Sequence, residues 1–165
     1  MKTGIFGVIG FLCGVGLAIP VINHLSASGP RAEGQWEGLR PAGHWVYWYN
    51  DSQKRAEGEY KEGLQDGKWT YWYENGQKQE EGTLKTGIKN GSWTVWYANG
   101  QIKEQGAFLD DKMHGPWTFW YEKGTKQSNG EYFRGHQHGV WKYYSEFDDS
   151  KVDHIENYPT THPHD

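Results

Sequence analysis

Cysteine is almost absent from this chain, and its one thiol, Cys13, rules out an internal disulfide framework and any zinc site built on cysteines. Leu, Ile and Val are scarce beyond Leu25, so an ordinary aliphatic core is excluded as well. No run of positive charge stands out. Residues 31–145 carry fifteen Lys/Arg against fifteen Asp/Glu, and without a basic stripe the chain is not a nucleic-acid binder. No phosphate loop, dinucleotide glycine motif, zinc-binding helix or Ser/His/Asp order is present. Enzyme chemistry and a cofactor are therefore not expected, and a small-molecule ligand is not favoured.

What the chain does have is aromatic and glycine content. Phe, Trp and Tyr make up 16% of the residues, and there are 23 glycines at a mean hydropathy of −0.94. Trp and Tyr carry large buried area with a polar handle, which suits a thin structure that stays partly wet.

The one long apolar stretch runs from Gly4 to Ile22, nineteen residues without a charge. That length spans a hydrocarbon core of ~30 Å as a helix. Lys2 and the amino terminus are the only positive charges before Arg31, which favours an N-terminus on the inside and a translocated remainder. A retained anchor over residues 1–25 is the expectation, followed by a linker over 26–32. A cleaved secretory signal is the rival, but Ser26-Ala27-Ser28 makes a mediocre cleavage site. Gly7, Gly10, Gly14 and Ala18 share one helical face. Small residues there allow another helix to approach closely.

From residue 33 to about 147 one pattern recurs with a period of 24. Gly43, Gly67, Gly91, Gly115 and Gly139 form one column, and Trp45, Trp69, Trp93, Trp117 and Trp141 another. Trp48, Trp72, Trp96, Trp120 and Tyr144 form a third, and Tyr49, Tyr73, Tyr97, Tyr121 and Ser145 a fourth. A second glycine column, Gly34, Gly58, Gly82, Gly106 and Gly130, is followed two positions later by Trp36, Tyr60, Leu84, Phe108 and Tyr132. Every Trp lies in a column. Internal periods of this size mean a repeat architecture.

Trp69-Thr70-Tyr71-Trp72-Tyr73 favours a strand, and Asn75-Gly76 favours a two-residue turn with both residues at positive φ. That turn would pair Trp69 with Gly82, Trp45 with Gly58, Trp93 with Gly106 and Trp117 with Gly130, each indole covering bare backbone. Alternation sends Trp69, Tyr71 and Tyr73 to one face and Trp72 to the other. On that second face the same register sets Trp48 opposite Arg55 and Trp96 opposite Lys103, as cation–π pairs. The fold expected is all-β, a single-layer antiparallel meander of hairpins with roughly ten strands, preceded by one transmembrane helix. Residues 148–165 are expected to form a disordered acidic tail.

These residues resemble the MORN-repeat family in its bacterial variant. The match runs through Gly67-Lys68-Trp69-Thr70-Tyr71-Trp72-Tyr73-Glu74-Asn75-Gly76-Gln77 and then Glu81-Gly82-Thr83-Leu84. It covers roughly residues 33–145. The resemblance implies a meander of β-hairpins used for protein interaction or scaffolding. Some eukaryotic relatives are associated with membrane lipids and some bacterial ones carry an antitoxin label, but no site motif accompanies the repeat.

The candidate partner-binding residues are thus Trp48, Trp72, Trp96, Trp120, Arg55 and Lys103, with Gly7, Gly10, Gly14 and Ala18 as the helix-packing set. No metal is expected. His114, His136 and His138 read as solvated loop residues, as do His162 and His164 of the tail. The chain reads as a single-pass protein of the cytoplasmic membrane, with its repeats on the outer side and a protein partner. The alternative is a secreted or periplasmic free module for a toxin or a glycan.

Overall fold

The computed structural model describes residues 31–50 and 52–161. The predicted anchor helix, with Gly7, Gly10, Gly14 and Ala18, lies outside them. Among the described residues no helix is long and apolar enough to cross a membrane.

Among the described residues eleven strands form one sheet, each beside its neighbour in sequence. They are β1 (Arg31–Glu37), β2 (Arg40–Trp48), β3 (Lys54–Lys61), β4 (Leu64–Trp72), β5 (Lys78–Lys85) and β6 (Ile88–Trp96), then β7 (Ile102–Leu109), β8 (Lys112–Trp120), β9 (Lys126–Phe133), β10 (His136–Tyr144) and β11 (Val152–Tyr158). All pairings are antiparallel.

The expected Trp–Gly register holds, with Trp69 opposite Gly82, Trp45 opposite Gly58, Trp93 opposite Gly106 and Trp117 opposite Gly130. It is reached by a different route. Tyr73 N donates to Gln77 O at 2.9 Å and Gly76 N to Tyr73 O at 3.0 Å. The loop therefore has three residues, and only its glycine is left-handed (φ 85°), the type I turn closed by a left-handed residue. A β-bulge between Tyr71 and Trp72 then moves the pairing by one, cancelling the extra loop residue. The two-residue turns with both φ positive are at the other end of the hairpins, at Glu62-Gly63, Thr86-Gly87, Asp110-Asp111 and Arg134-Gly135.

The rings lean the opposite way from expectation. A Cβ built on Gly58 would lie 2.3 Å from Trp69 Cδ2, and one on Gly82 would lie 1.8 Å from Trp93 Cε3. Each indole thus lies on the glycine of the preceding strand, not on that of the strand which follows. The indole N–H explains the lean. Trp69 Nε1 donates to Glu59 O at 3.0 Å, and Trp45, Trp117 and Trp141 make the equivalent bond backwards. An edge-to-face ring completes each seat, as with Tyr60 on Trp69 at 5.2 Å. The result is a core within a single layer, in which Trp45, Trp69, Trp93, Trp117 and Trp141 are at most 5% exposed.

Trp93 is the exception. Leu84 and Val95 replace aromatic rings beside it. Its N–H goes to Glu80 Oε2 at 3.0 Å, and Lys89 Nζ, paired with Glu80, lies 3.9 Å above the ring.

Hairpins are tied to one another at their tips. Tyr49, Tyr73, Tyr97 and Tyr121 each donate a hydroxyl proton to a carbonyl of the next hairpin, at 2.7–3.2 Å. Nearest-neighbour ties of this kind are what hold a linear array together.

The acidic tail is not disordered at residues 152–158, which form β11. Gly139 faces Tyr158 and Trp141 faces Glu156, so Tyr158 extends the column of Tyr60 and Tyr132. Its ring lies 6.3 Å from Trp141, and His154 stacks on Tyr143 at 4.4 Å. Val152, Ile155 and Tyr158 supply the strand-favouring residues among the acids. In the connection that precedes the strand, Glu146 O accepts from Thr125 and Asp149 from the Lys126 N–H.

Candidate interaction surface

One face of the sheet closes on itself, and the other does not. Trp48, Trp72, Trp96 and Trp120 stand half-buried in a row on the second face, at the strand ends where the bulges lie. The bulge sets which residue meets each of them. Trp48 faces Lys54, Trp72 faces Lys78, Trp96 faces Ile102 and Trp120 faces Lys126.

The cations on the row therefore differ from those the sequence suggested. Lys54 Nζ lies between two indoles, 6.0 Å from the Trp48 ring and 5.8 Å from Trp72. Lys78 lies 5.4 Å from Trp96, and the Arg31 guanidinium lies 4.8 Å from Trp48. Arg55 and Lys103 sit one residue later, where the bulge turns them away. The Arg55 guanidinium instead lies 5.6 Å from the Tyr47 ring, on the closed face, and Lys103 is exposed. An alternation count misses a bulge by construction, because one added residue exchanges the faces beyond it.

Carboxylates balance Lys54 and Lys78 of the row. Lys54 pairs with Glu57. Lys78 and Lys68 both pair with Glu81, at 2.7 and 2.9 Å. Burial on its own would raise the Glu81 carboxyl; the two ammonium groups outweigh it and hold it at about 2. The surface is thus a strip of indoles, ammonium groups and carboxylates. Trp is among the residues that most often anchor protein interfaces, and flat rings flanked by satisfied charges suit a partner of mixed polarity.

His114 and His138 lie in β8 and β10 rather than in loops, on either side of the Phe133 ring at 5.7 and 5.9 Å. His136 opens β10, while His162 and His164 lie outside the described residues. Among the described residues no group of three or more His, Cys, Asp or Glu is placed to hold a metal ion.

No curated protein matches the chain. Among solved structures it overlaps a chain of the GtfA/B complex bound to UDP and GlcNAc, at 10% identity and a TM-score of 0.27, over 88% of this chain and 28% of that one. This chain thus spans under a third of that one's length, and so loose an overlap supports no argument. The repeat itself is matched directly. The profile of the MORN repeat variant fits residues 65–86, 89–110 and 113–133, so the hairpins β4–β5, β6–β7 and β8–β9 each match one repeat of that variant.

Proposed function

We propose that this chain is a membrane-anchored docking module, whose row of Trp48, Trp72, Trp96 and Trp120 binds a protein partner as an accessory part of a membrane complex. One observation carries the reading. The indoles of the closed face are seated on glycine and capped by neighbouring rings, whereas the four in the row remain half-open beside balanced charges. The uncharged stretch Gly4 to Ile22 supports the anchor, and the MORN repeats support a binding role.

The test uses the full chain in mild detergent. Replacing Trp72 and Trp96 by Ser should weaken partner co-purification at least tenfold, on the order of the ~2 kcal/mol expected for an interface Trp, while circular dichroism still reports the sheet. Normal binding by that folded variant would make the row structural. In parallel, Gly10→Leu with Gly14→Leu should also weaken association. Unchanged binding there would reduce the helix to a tether, and loss of the wild-type chain from membranes in a high-salt wash would remove the anchor.

A further inference from the structure

The bulge that removes Arg55 from the indole row gives it another setting. On the closed face, an open hollow of about 470 Å³ is lined by Tyr47, Tyr60, Tyr71, Gln65, Gln79 and Arg55, with Ala56 as its floor. It exists because Ala56 is small. At the equivalent positions one and two repeats on stand Glu80 and Glu104, and Glu80 fills its place with an ion pair to Lys89.

The hollow collects hydrogen-bond donors. Gln65 Nε2 donates to the Tyr71 hydroxyl at 3.3 Å, which leaves the Tyr71 proton free for another acceptor. The Tyr47 and Tyr60 hydroxyls lie 3.1 Å apart; one donates to the other, so one proton remains. Burial and that hydrogen bond push the Tyr47 hydroxyl up, keeping it a donor. Arg55 lies over the Tyr47 ring, and among the described residues no carboxylate is within ion-pairing distance of it, in contrast to Lys54, Lys68, Lys78 and Lys89.

We propose that Arg55, Tyr71 and the Tyr47–Tyr60 pair form a seat for a carboxylate carried by an acidic side chain or chain terminus of a partner protein. A guanidinium presents parallel N–H groups that match the two oxygens of a carboxylate, and Tyr47, Tyr60 and Tyr71 line the same hollow. A comparable hollow of about 380 Å³ above Ser128 has neutral Gln127 in place of Arg55 and has Asp153 in its wall. His154 also lines it, but it has no guanidinium. The seat lies on the face opposite the indole row and is independent of the reading above.

The test is an NMR titration of the labelled full chain in non-ionic detergent with N-acetylglutamate, following the Arg55 Nε–H and the Ala56 amide. Saturable shifts are expected with Kd on the order of 1 mM, absent with N-acetylglutamine. Arg55→Gln should abolish the Ala56 shift, Tyr71→Phe should weaken binding severalfold, and Trp72→Ser should leave it unchanged. The assignment is overturned by the absence of saturation, by an equal response to N-acetylglutamine, or by a shift that persists in Arg55→Gln. Tighter binding of inorganic phosphate would overturn it too, replacing a carboxylate seat with a phosphate one.

Discussion

Gly58→Ala is the sharpest test of how this sheet is held together. An added Cβ would lie 2.3, 2.4 and 2.6 Å from Trp69 Cδ2, Cε2 and Cγ, closer than any real contact. Gly58 does not use a positive φ, so alanine brings no backbone strain and gains ~0.5–1 kcal/mol from its smaller entropy loss. Against that, the Trp69 ring must leave its place. It would give up the bond to Glu59 O and its contacts with Tyr60 and Tyr71. Overpacking costs ~1–3 kcal/mol, and complete loss of a buried Trp costs ~3–5 kcal/mol. A net destabilisation of ~2–4 kcal/mol follows, measured by urea unfolding. The decisive comparison is the same change in a Trp69→Ala background, where Gly58→Ala should become neutral or slightly stabilising, a coupling of ~2–4 kcal/mol. Gly67→Ala is the control, because its φ is +83° with nothing within 4 Å. Its cost should be ~1–2 kcal/mol and should persist without the Trp69 ring. Equal losses from Gly58→Ala with and without the indole would refute the seating argument.

Two further outcomes are expected. Removing residues 151–165 takes away Tyr158 and uncovers Trp141, now 1% exposed, so stability should fall by ~2 kcal/mol or more, and an unchanged urea midpoint would show that β11 adds nothing to the array. Glu81 has a folded pKa of about 2 against an ordinary 4.5, so its contribution is present above about 4.5 and is lost as pH falls towards 2; the gap in stability between wild type and Glu81→Gln, followed by urea midpoint, should shrink over that window, and a gap independent of pH would reject the ion-pair account.

Much of this architecture was legible in the columns. Trp69 and Gly82 recur with their partners at a shared spacing, and the register follows from that correspondence even though the turn was misjudged. Asn75-Gly76 favours positive φ at both residues, but a loop of three and a bulge at the strand end meet the same register. Pairing arithmetic cannot separate the two routes. The consequence fell on the candidate site, where Lys54 and Lys78 replaced Arg55 and Lys103 beside the indoles. Ring direction was not legible either, because register fixes which residues are opposite and says nothing of the rotamer. That is set by the indole N–H seeking a carbonyl on the preceding strand. β11 escaped notice since Tyr158 falls out of step with Tyr132 and the repeat period, and a glutamate stands where the glycine column would continue.

That glutamate has a further consequence, for how such proteins change length. Each strand that receives an indole offers bare glycine backbone, but β11 offers Glu156 opposite Trp141, where an indole seated in the same way would meet a side chain. A longer version can gain whole repeat units between existing hairpins, where each new Trp finds a glycine before it and each new glycine a Trp after it. Every inserted unit lengthens the sheet by two strands, about 9.6 Å, and adds one indole to the open row. The length of the open row is therefore counted in whole hairpins.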